Sequence, residues 1–188
     1  MNYLPEKDRQ HLMMRATECF DQGLSIQDKI KLAQNLYVSW QDALRKQLHI
    51  NNLLADLERC LKASRESMLD LRIIDICKCC DEKEGGSCCG AGMENKLDTY
   101  LLLVNLLLGV SLPECHVRTN SCYLLTDNGC ILRMRLVLCI DFLCDKILNV
   151  LSVEEHLRLQ KISGEELLAG FRLYDAIKKF LRQVEDSG

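Results

Sequence analysis

Apolar side chains recur at steps of three and four residues along most of this chain, a pattern that predicts amphipathic helices. Residues 6–21 form the first such segment, and Gly23 follows it as the expected helix end. The apolar face of this segment contains Leu12, Met13, Ala16, Cys19 and Phe20.

Residues 26–76 contain neither proline nor glycine and predict the longest helical region. Their apolar stripe follows heptad-like steps and then shifts by one residue after Leu54. The first part of the stripe comprises Ile30, Ala33, Tyr37, Trp40 and Leu44. The shift predicts either a local change in coiling or, in the preferred interpretation, two packed helices that break near residues 49–52. The face with Trp40 requires a partner, which is either the C-terminal helix or a second subunit.

The second half of the chain alternates predicted loops with predicted helices. Glycine and small polar residues predict loops at residues 77–96 and 114–130. Within the second loop, Asp127-Asn128-Gly129 predicts a tight turn. Residues 97–109 and 136–151 carry apolar side chains at helical spacing and predict helices.

Two capping-box signals predict two further helices near the C-terminus. The first is Ser152 with Glu155, and the second is Ser163 with Glu166. Together these patterns predict a mainly α fold, a helical bundle that encloses a cysteine-rich loop module. The predicted regions are an N-terminal helical region (1–76), a cysteine-rich module (77–151) and C-terminal helices that pack on the bundle (152–188).

Composition supports this fold and narrows the functional classes. The chain has 188 residues, enough to bury one core, and only two prolines interrupt it. Its formal net charge of −3 argues against nucleic-acid binding, because neutralising phosphates requires clustered basic residues. The N-terminus is too polar for a secretory signal, and the longest apolar run, residues 97–113, is too short for a comfortable membrane span. We therefore expect a cytoplasmic protein that binds neither nucleic acid nor membrane.

Cysteine is the feature that bears most directly on function. Ten of the twelve cysteines lie within residues 77–144: Cys77, Cys79, Cys80, Cys88, Cys89, Cys115, Cys122, Cys130, Cys139 and Cys144. The other two are expected to pack as small hydrophobic residues on helical faces, namely Cys19 and Cys60. Thiols in a reducing cytoplasm are more often ligands or redox groups than structural disulfides, and thiolate is a soft metal ligand. The dense segment therefore predicts a metal or iron–sulfur site.

The spacing gives a first pair of ligands in Cys77-x-x-Cys80, with Cys79 as an alternative. Cys88-Cys89 supplies a second pair after a flexible loop. Because adjacent cysteines rarely bind one ion together comfortably, one member of this pair is expected to serve a second metal or the edge of a cluster.

Later cysteines complete the set. The predicted turn returns the chain so that Cys122 and Cys130 meet. Cys139 and Cys144 are either ligands or, on a helix, core residues. Cys115 is equally compatible with a ligand and with a core position, and His116 beside it is more often plain polar surface than a ligand.

These motifs occur in a recognisable order over about a third of the chain. The segments are Cys77 to Cys80, Cys88-Cys89, Cys122-Tyr123-Leu124, Asp127-Asn128-Gly129-Cys130-Ile131, Arg135, Cys139 and Cys144. This order resembles the YkgJ-like family, whose members are described as zinc- or iron-chelating and as iron–sulfur-cluster-containing. Leu136 stands where the family's Arg-Pro dipeptide has its proline.

The resemblance implies a metal-chelating module and is the main reason to retain the last two cysteines as ligands. The candidate ligands are Cys77, Cys80, Cys88, Cys89, Cys122, Cys130, Cys139 and Cys144. So many sulfurs with almost no interleaved histidine favour an iron–sulfur cluster, with zinc as the alternative cofactor. Nearby basic residues either moderate the thiolate charge or are ordinary surface charges, namely Lys78, Lys83, Arg133 and Arg135.

Three functions follow as hypotheses. The first is a metal-chelating protein that acts in electron transfer, in sensing or as an accessory to an enzyme. The alternative is a zinc-stabilised helical adaptor whose long helices bind a protein partner or form a homodimer. The second alternative is a thiol redox enzyme that uses Cys77 and Cys80 or Cys88 and Cys89, although the sequence shows no electropositive setting for a reactive thiolate. No hydrolase triad, phosphate loop or HExxH helix appears, so catalysis has no support in the sequence.

Overall fold

The computed structural model describes residues 23–83, 88–118 and 120–186. The helix predicted over residues 6–21, including Cys19, lies outside these described residues. The predicted mainly α fold is confirmed: long helices dominate, and the strands are two residues each.

The long helical region before the cysteines consists of two helices, α1 (Ile26–Lys46) and α2 (Leu48–Asp70). This confirms the preferred interpretation of the shifted stripe. The break falls at Gln47, just before the predicted position, where the backbone is extended with φ −73° and ψ 108°. The Ser25 side chain caps α1 by accepting a hydrogen bond from the backbone N–H of Asp28 at 3.2 Å.

A third helix, α3 (Ile73–Lys83), follows a turn at Leu71 and Arg72. Arg72 adopts a left-handed conformation with φ 56°, which interrupts the helical region that the sequence pattern predicted to continue to residue 76. The loop predicted to begin at residue 77 is also wrong at its start. No glycine or proline occurs before Gly85, so the helix continues through the first cysteines.

The predicted helix over residues 97–109 is confirmed as α4 (Thr99–Leu107). Asp98 caps it by accepting a hydrogen bond from the N–H of Leu101 at 2.8 Å, and a 3-10 turn, Met93–Lys96, precedes it. Almost every side chain of α4 is buried, and its sequence is accordingly apolar on all sides of the helix.

The predicted tight turn is confirmed as a short hairpin of β1 (Leu125–Thr126) and β2 (Gly129–Cys130). The strands are antiparallel, with Leu125 opposite Cys130 and Thr126 opposite Gly129. Gly129 has φ 94°, which a residue without Cβ adopts at little cost.

Residues 136–151 form two short helices instead of the single predicted one, α5 (Val137–Asp141) and α6 (Asp145–Leu148). The chain is extended at Phe142, with ψ 106°. Several apolar side chains of this segment are exposed, so the periodic pattern lacks a core that would hold one long helix.

The C-terminal region is one helix, α7 (Val153–Glu185). The first capping box is confirmed, since the side chains and backbones of Ser152 and Glu155 bond reciprocally. The second is wrong: Ser163 is 6% exposed and Glu166 is 2% exposed, both inside the uninterrupted helix. Their spacing reflects a buried helix face and not a helix start.

The main core lies among α1, α2, α4 and α7, and α2 packs along α7. Trp40 contacts Phe180 edge-to-face at 6.3 Å between ring centroids, and Tyr100 contacts Tyr174 in the same way at 6.0 Å. Of the two partners predicted for the Trp40 face, the C-terminal helix is therefore the one observed. No helix among the described residues is both long and apolar enough to cross a bilayer.

Candidate metal centre

Helix α3 carries the first three cysteines of the dense segment, and Cys79 differs from Cys77 and Cys80 in its exposure. Cys77 and Cys80 are separated by three residues, so they lie on the same side of the helix, and both are half-buried. Cys79 is exposed. Of the two alternatives in the sequence, the Cys77-x-x-Cys80 pair is the one that faces the rest of the protein.

Cys77 and Cys80 belong to a set of thiols beside α6. Cys77 and Cys144 pack against one apolar cluster that includes Ile147, and Lys146 Nζ lies 3.5 Å from Cys80 Sγ. The pKa of Cys77 is raised to about 11, mainly by burial and to a smaller extent by the neighbouring thiols of Cys88, Cys144 and Cys80. We call these four residues the helix-side group: Cys77, Cys80, Cys88 and Cys144.

A second set of thiols surrounds the hairpin. The N–H of Cys122 donates to the carbonyl oxygen of Cys89 at 2.7 Å, and Gly90 pairs with Ser121 as an isolated bridge. Cys130 lies on β2, which the turn brings back toward residue 122. The four residues of this hairpin-side group are Cys89, Cys122, Cys130 and Cys139.

Electrostatic contacts link the members of the hairpin-side group. Burial raises the pKa of Cys122 to about 11, with smaller contributions from Glu94, Cys130 and Cys139. Burial likewise raises the pKa values of Cys130 and Cys139. Each of these thiols is therefore close enough to its neighbours for their charges to interact.

The adjacent pair divides between the two groups. The Cys88 thiol donates a hydrogen bond to Cys89, which raises the pKa of Cys88 and lowers that of Cys89. Cys88 influences Cys77, whereas Cys89 is influenced by Cys130, Cys139 and Cys122. Cys139 also interacts with Cys88, so the two groups are neighbours. The expectation that one member of the pair serves a second metal or the edge of a cluster stays a prediction.

The cysteine side chains of each group lie near one another, but they do not converge on one point. Among residues 23–83, 88–118 and 120–186, no three His, Cys, Asp or Glu side chains converge on a point that could hold a metal. Each group nevertheless offers the four thiols that a tetrahedral zinc ion or an iron–sulfur cluster takes. Binding would require rotation of side chains that are half-buried or exposed. The eight candidate ligands therefore stay a prediction.

Arg135 lies between the two groups. Its positive charge lowers the pKa values of Cys77, in the helix-side group, and of Cys130 and Cys139, in the hairpin-side group. Its Nη2 atom is 3.4 Å from Met68 Sδ. It is the basic residue best placed to offset thiolate charge on both sides.

The other basic residues named from the sequence have different surroundings. Arg133 donates to the carbonyl oxygen of Leu108 at 2.8 Å and to Glu58 at 3.1 Å. Lys78 pairs with Glu82 at 3.8 Å along α3. The Lys83 side chain lies outside the described residues.

The other candidates from the sequence are Cys60, Cys115 and His116. Cys60 is 4% exposed in the main core, as predicted, and Cys115 is exposed. His116 stacks on Tyr123 at 5.4 Å, and its Nε2 atom lies 2.9 Å from the carbonyl oxygen of Ser121. These contacts account for His116 without a metal.

Sequence reasoning missed one buried charged residue, Glu166. It is 2% exposed and its carboxylate lies 4.0 Å from Arg135 Nη2. Burial raises its pKa, while Ser64 and Arg135 lower it. The helical spacing of Leu159, Ser163 and Leu173 places Glu166 within their apolar stripe, and that spacing was the available signal.

Packing and electrostatic contacts therefore associate the eight predicted cysteines in two neighbouring groups, and Arg135 interacts with thiols of both. No protein-family model, no curated protein and no solved structure matches this chain.

Proposed function

We propose that this protein is a metal-chelating protein that holds iron–sulfur clusters, or alternatively zinc, in two adjacent all-cysteine sites. The observation that supports the proposal is the proximity of the thiols: Cys77 and Cys144 pack on one apolar cluster with Cys80 beside Lys146, and the N–H of Cys122 donates to the carbonyl oxygen of Cys89 next to the hairpin. Four thiolates complete the coordination of one zinc ion or one cluster.

The arrangement makes little sense as packing alone. Cys139 is exposed, so a role as a core residue does not explain it, whereas Cys144 is half-buried and packs against the apolar cluster that includes Ile147. Exposed free thiols are open to oxidation, and ligation protects them. Binding would also cross-link α3, the hairpin and the α5–α6 segment, which are separate elements along the chain.

A bound cluster would supply one-electron redox chemistry, and zinc would supply structural cross-linking. The protein's own contribution is to present four thiols at each site and to place Arg135 beside both. An arginine near thiolate ligands reduces the net negative charge of a site, which favours the more reduced state of a cluster. Electron transfer, sensing or service to a partner enzyme are the roles compatible with such a site.

The thiol redox enzyme is the weaker alternative. A nucleophilic cysteine needs a lowered pKa, yet burial raises the pKa values of Cys77, Cys122 and Cys130. Cys89 is the exception, and the hydrogen bond from Cys88 is the main cause of its lowered pKa.

The test is anaerobic purification followed by a visible spectrum and elemental analysis. For clusters we expect a brown protein with iron and sulfide in stoichiometric amounts, and for zinc a colourless protein with about two ions per chain. Cys80→Ser and Cys122→Ser each remove a thiol from one group, so each should lower the metal content by about half.

Cys79→Ser is the matched control, because Cys79 is exposed on the same helix and belongs to neither group. It should leave the metal content unchanged. Loss of all metal in both single variants would indicate that the thiols form one shared site instead of two. A wild-type chain that holds no stoichiometric metal, even after anaerobic reconstitution, would refute the function.

The zinc-stabilised adaptor remains the second candidate because α7 has exposed apolar side chains. Val153 is 72% exposed, Leu157 is 61% exposed and Phe171 is 66% exposed. Large exposed apolar side chains on one helix are typical of a partner surface. A colourless protein with stoichiometric zinc that elutes as a homodimer, and a Phe171→Ser variant that elutes as a monomer, would favour this candidate over the first.

A further inference from the structure

A cleft of about 820 Å³ lies next to the hairpin-side group, between α2, the start of α3 and the segment that follows β2. Its volume falls within the usual range for sites that take small molecules. Apolar side chains form part of its wall: Leu61, Met68, Ile74, Ile131 and Leu132. Cys130 lies at one side of it and Glu166 at its inner end.

The charge of the cleft is opposite to that of the whole chain. The chain carries a formal net charge of −3, but five basic and only two acidic side chains line the cleft. The basic residues are Arg59, Lys62, Arg65, Arg133 and Arg135. A confined basic cleft on an otherwise acidic molecule concentrates small anions and repels long polyanions.

Most of these basic residues have a local carboxylate partner, but Arg65 differs. Arg59 pairs with Asp56 at 2.6 Å, and Arg133 pairs with Glu58 at 3.1 Å. Among the described residues, no carboxylate pairs with Arg65, which is exposed at the cleft. Its guanidinium is therefore available to a ligand.

The inner end of the cleft contains the buried carboxylate of Glu166. Neither carboxylate oxygen of Glu166 has a hydrogen bond of normal geometry among the described residues; the Ser64 side chain lies close enough to lower the pKa of Glu166, and Arg135 Nη2 lies 4.0 Å away. Buried polar groups are normally satisfied, so this carboxylate is available to accept a hydrogen bond from a ligand in the cleft.

We propose that this cleft binds a small anionic molecule. Its phosphate or carboxylate group is held by Arg65 and Arg135, and its hydroxyl or amino group donates a hydrogen bond to Glu166. Arginine suits this role because its planar fork matches both anions. None of these three residues is a candidate metal ligand, but Arg135 also lies beside the thiols and Cys130 lines the cleft, so metal content is measured together with ligand affinity.

The experiment is isothermal titration calorimetry on the full-length protein with two probes, citrate and glycerol 3-phosphate. Each carries an anionic group and a hydroxyl, and the comparison distinguishes a carboxylate ligand from a phosphate ligand. We expect one site per chain for at least one probe, with affinity that falls as salt concentration rises. If neither probe binds more tightly than about 1 mM, the proposal is wrong.

Two variants and a control locate the site. Arg65→Gln and Lys62→Gln should each weaken binding, by about tenfold for Arg65→Gln, because a charge-assisted contact is lost. Arg158→Gln is the matched control, since Arg158 is exposed on α7 and outside the cleft, and it should leave affinity unchanged. Equal weakening in Arg65→Gln and Arg158→Gln would show a general charge effect and overturn the site.

A third comparison tests Glu166. Tricarballylate has the carboxylates of citrate but lacks its hydroxyl, so citrate should bind to the wild type more tightly, by about fivefold or more, and this preference should shrink in Glu166→Gln. A preference that Glu166→Gln leaves unchanged comes from elsewhere, such as chelation of the metal by the citrate hydroxyl. Equal affinities for citrate and tricarballylate would mean that Glu166 does not contact the ligand. Metal content is measured on the same samples, and Arg65→Gln should retain the wild-type amount. Loss of metal in that variant with unchanged probe affinity would assign Arg65 to the thiols and overturn the cleft.

Discussion

Asn105 shows how one buried polar residue fixes the segment on which the candidate site depends. It is fully buried on α4, and its side-chain amide donates to the carbonyl oxygens of Leu101 and Met134, both at 2.9 Å. Its carbonyl oxygen accepts from the backbone N–H groups of Arg133, at 2.8 Å, and Met134, at 3.1 Å. All of its hydrogen-bonding capacity is therefore used to hold the chain between β2 and α5 against the core.

Replacing Asn105 by alanine should lower the free energy of unfolding by about 3 kcal/mol, because two backbone N–H groups lose their acceptor and two carbonyl oxygens lose a donor. Urea unfolding measures this change. Asn52→Ala is the control, since Asn52 is exposed on α2 and its loss should change stability by less than about 0.5 kcal/mol. Similar small effects in the two variants would mean that Asn105 does not hold this segment.

Glu166 gives a second test at the scale of a residue, through pH. Burial raises its pKa above the unfolded value, against the opposing effects of Ser64 and Arg135. The folded state therefore favours the protonated form. That contribution to stability is fully present below the unfolded pKa and is lost as pH rises through the folded pKa.

Glu166→Gln removes this charge, so the melting temperature of the variant relative to wild type should be higher at pH 8 than at pH 5. Thermal unfolding at the two pH values measures it. Glu165→Gln provides the comparison, because Glu165 is exposed, and its difference from wild type should be nearly independent of pH. A Glu166→Gln difference that does not change with pH, or falls as pH rises, would contradict the argument.

At the scale of elements, α7 shows why a local signal can be misread. The Ser-x-x-Glu pattern occurs twice in this region, once at a true helix start and once in the helix interior. At the interior position both side chains face α2, where tertiary packing maintains the helix through Gly164. Only the packing distinguishes the two positions, and the sequence of α7 alone does not contain it.

The two glycines inside α7 give matched tests of this packing. A Cβ added at Gly164 would meet no atom within 4 Å, so Gly164→Ala should raise the free energy of unfolding by about 0.5–1 kcal/mol through helix propensity. At Gly170 the added Cβ would lie 2.9 Å from Met134 Cε. Since Met134 must move, Gly170→Ala should gain less. Urea unfolding of both variants checks the order, and a larger gain at Gly170 would be inconsistent with the contact.

The start of the cysteine-rich segment was also predicted wrongly, in this case as a loop where the structure has a helix. Clustered cysteines and the glycines after residue 84 predicted a loop from residue 77, whereas α3 continues to Lys83. Cysteine is a weak signal for either state, and in this case the absence of helix breakers decided the outcome. The tight turn before Cys130 was predictable because Asp-Asn-Gly fits only a few backbone conformations.

For the whole molecule, periodicity predicted the mainly α fold and the packing of Trp40 against the C-terminal helix as one of two options. The site was predictable only in part. The density of cysteines identified the candidate ligands. Which thiols lie near Cys88 and which lie near Cys89 depends on tertiary contacts. The basic cleft was not predictable, because it is assembled from residues 58–74, 130–135 and 166, and no single segment contains its pattern.

The adjacency of Cys88 and Cys89 has a consequence for how the two proposed sites would fill. One peptide unit connects a ligand of each group, so an ion captured on either side fixes the backbone that presents the opposite thiol. The conformational entropy of that unit is lost once, with the first ion, and the second ion binds to a chain that is already ordered. The second ion would therefore bind more tightly than the first, while a chain with only one intact group would still fill that group.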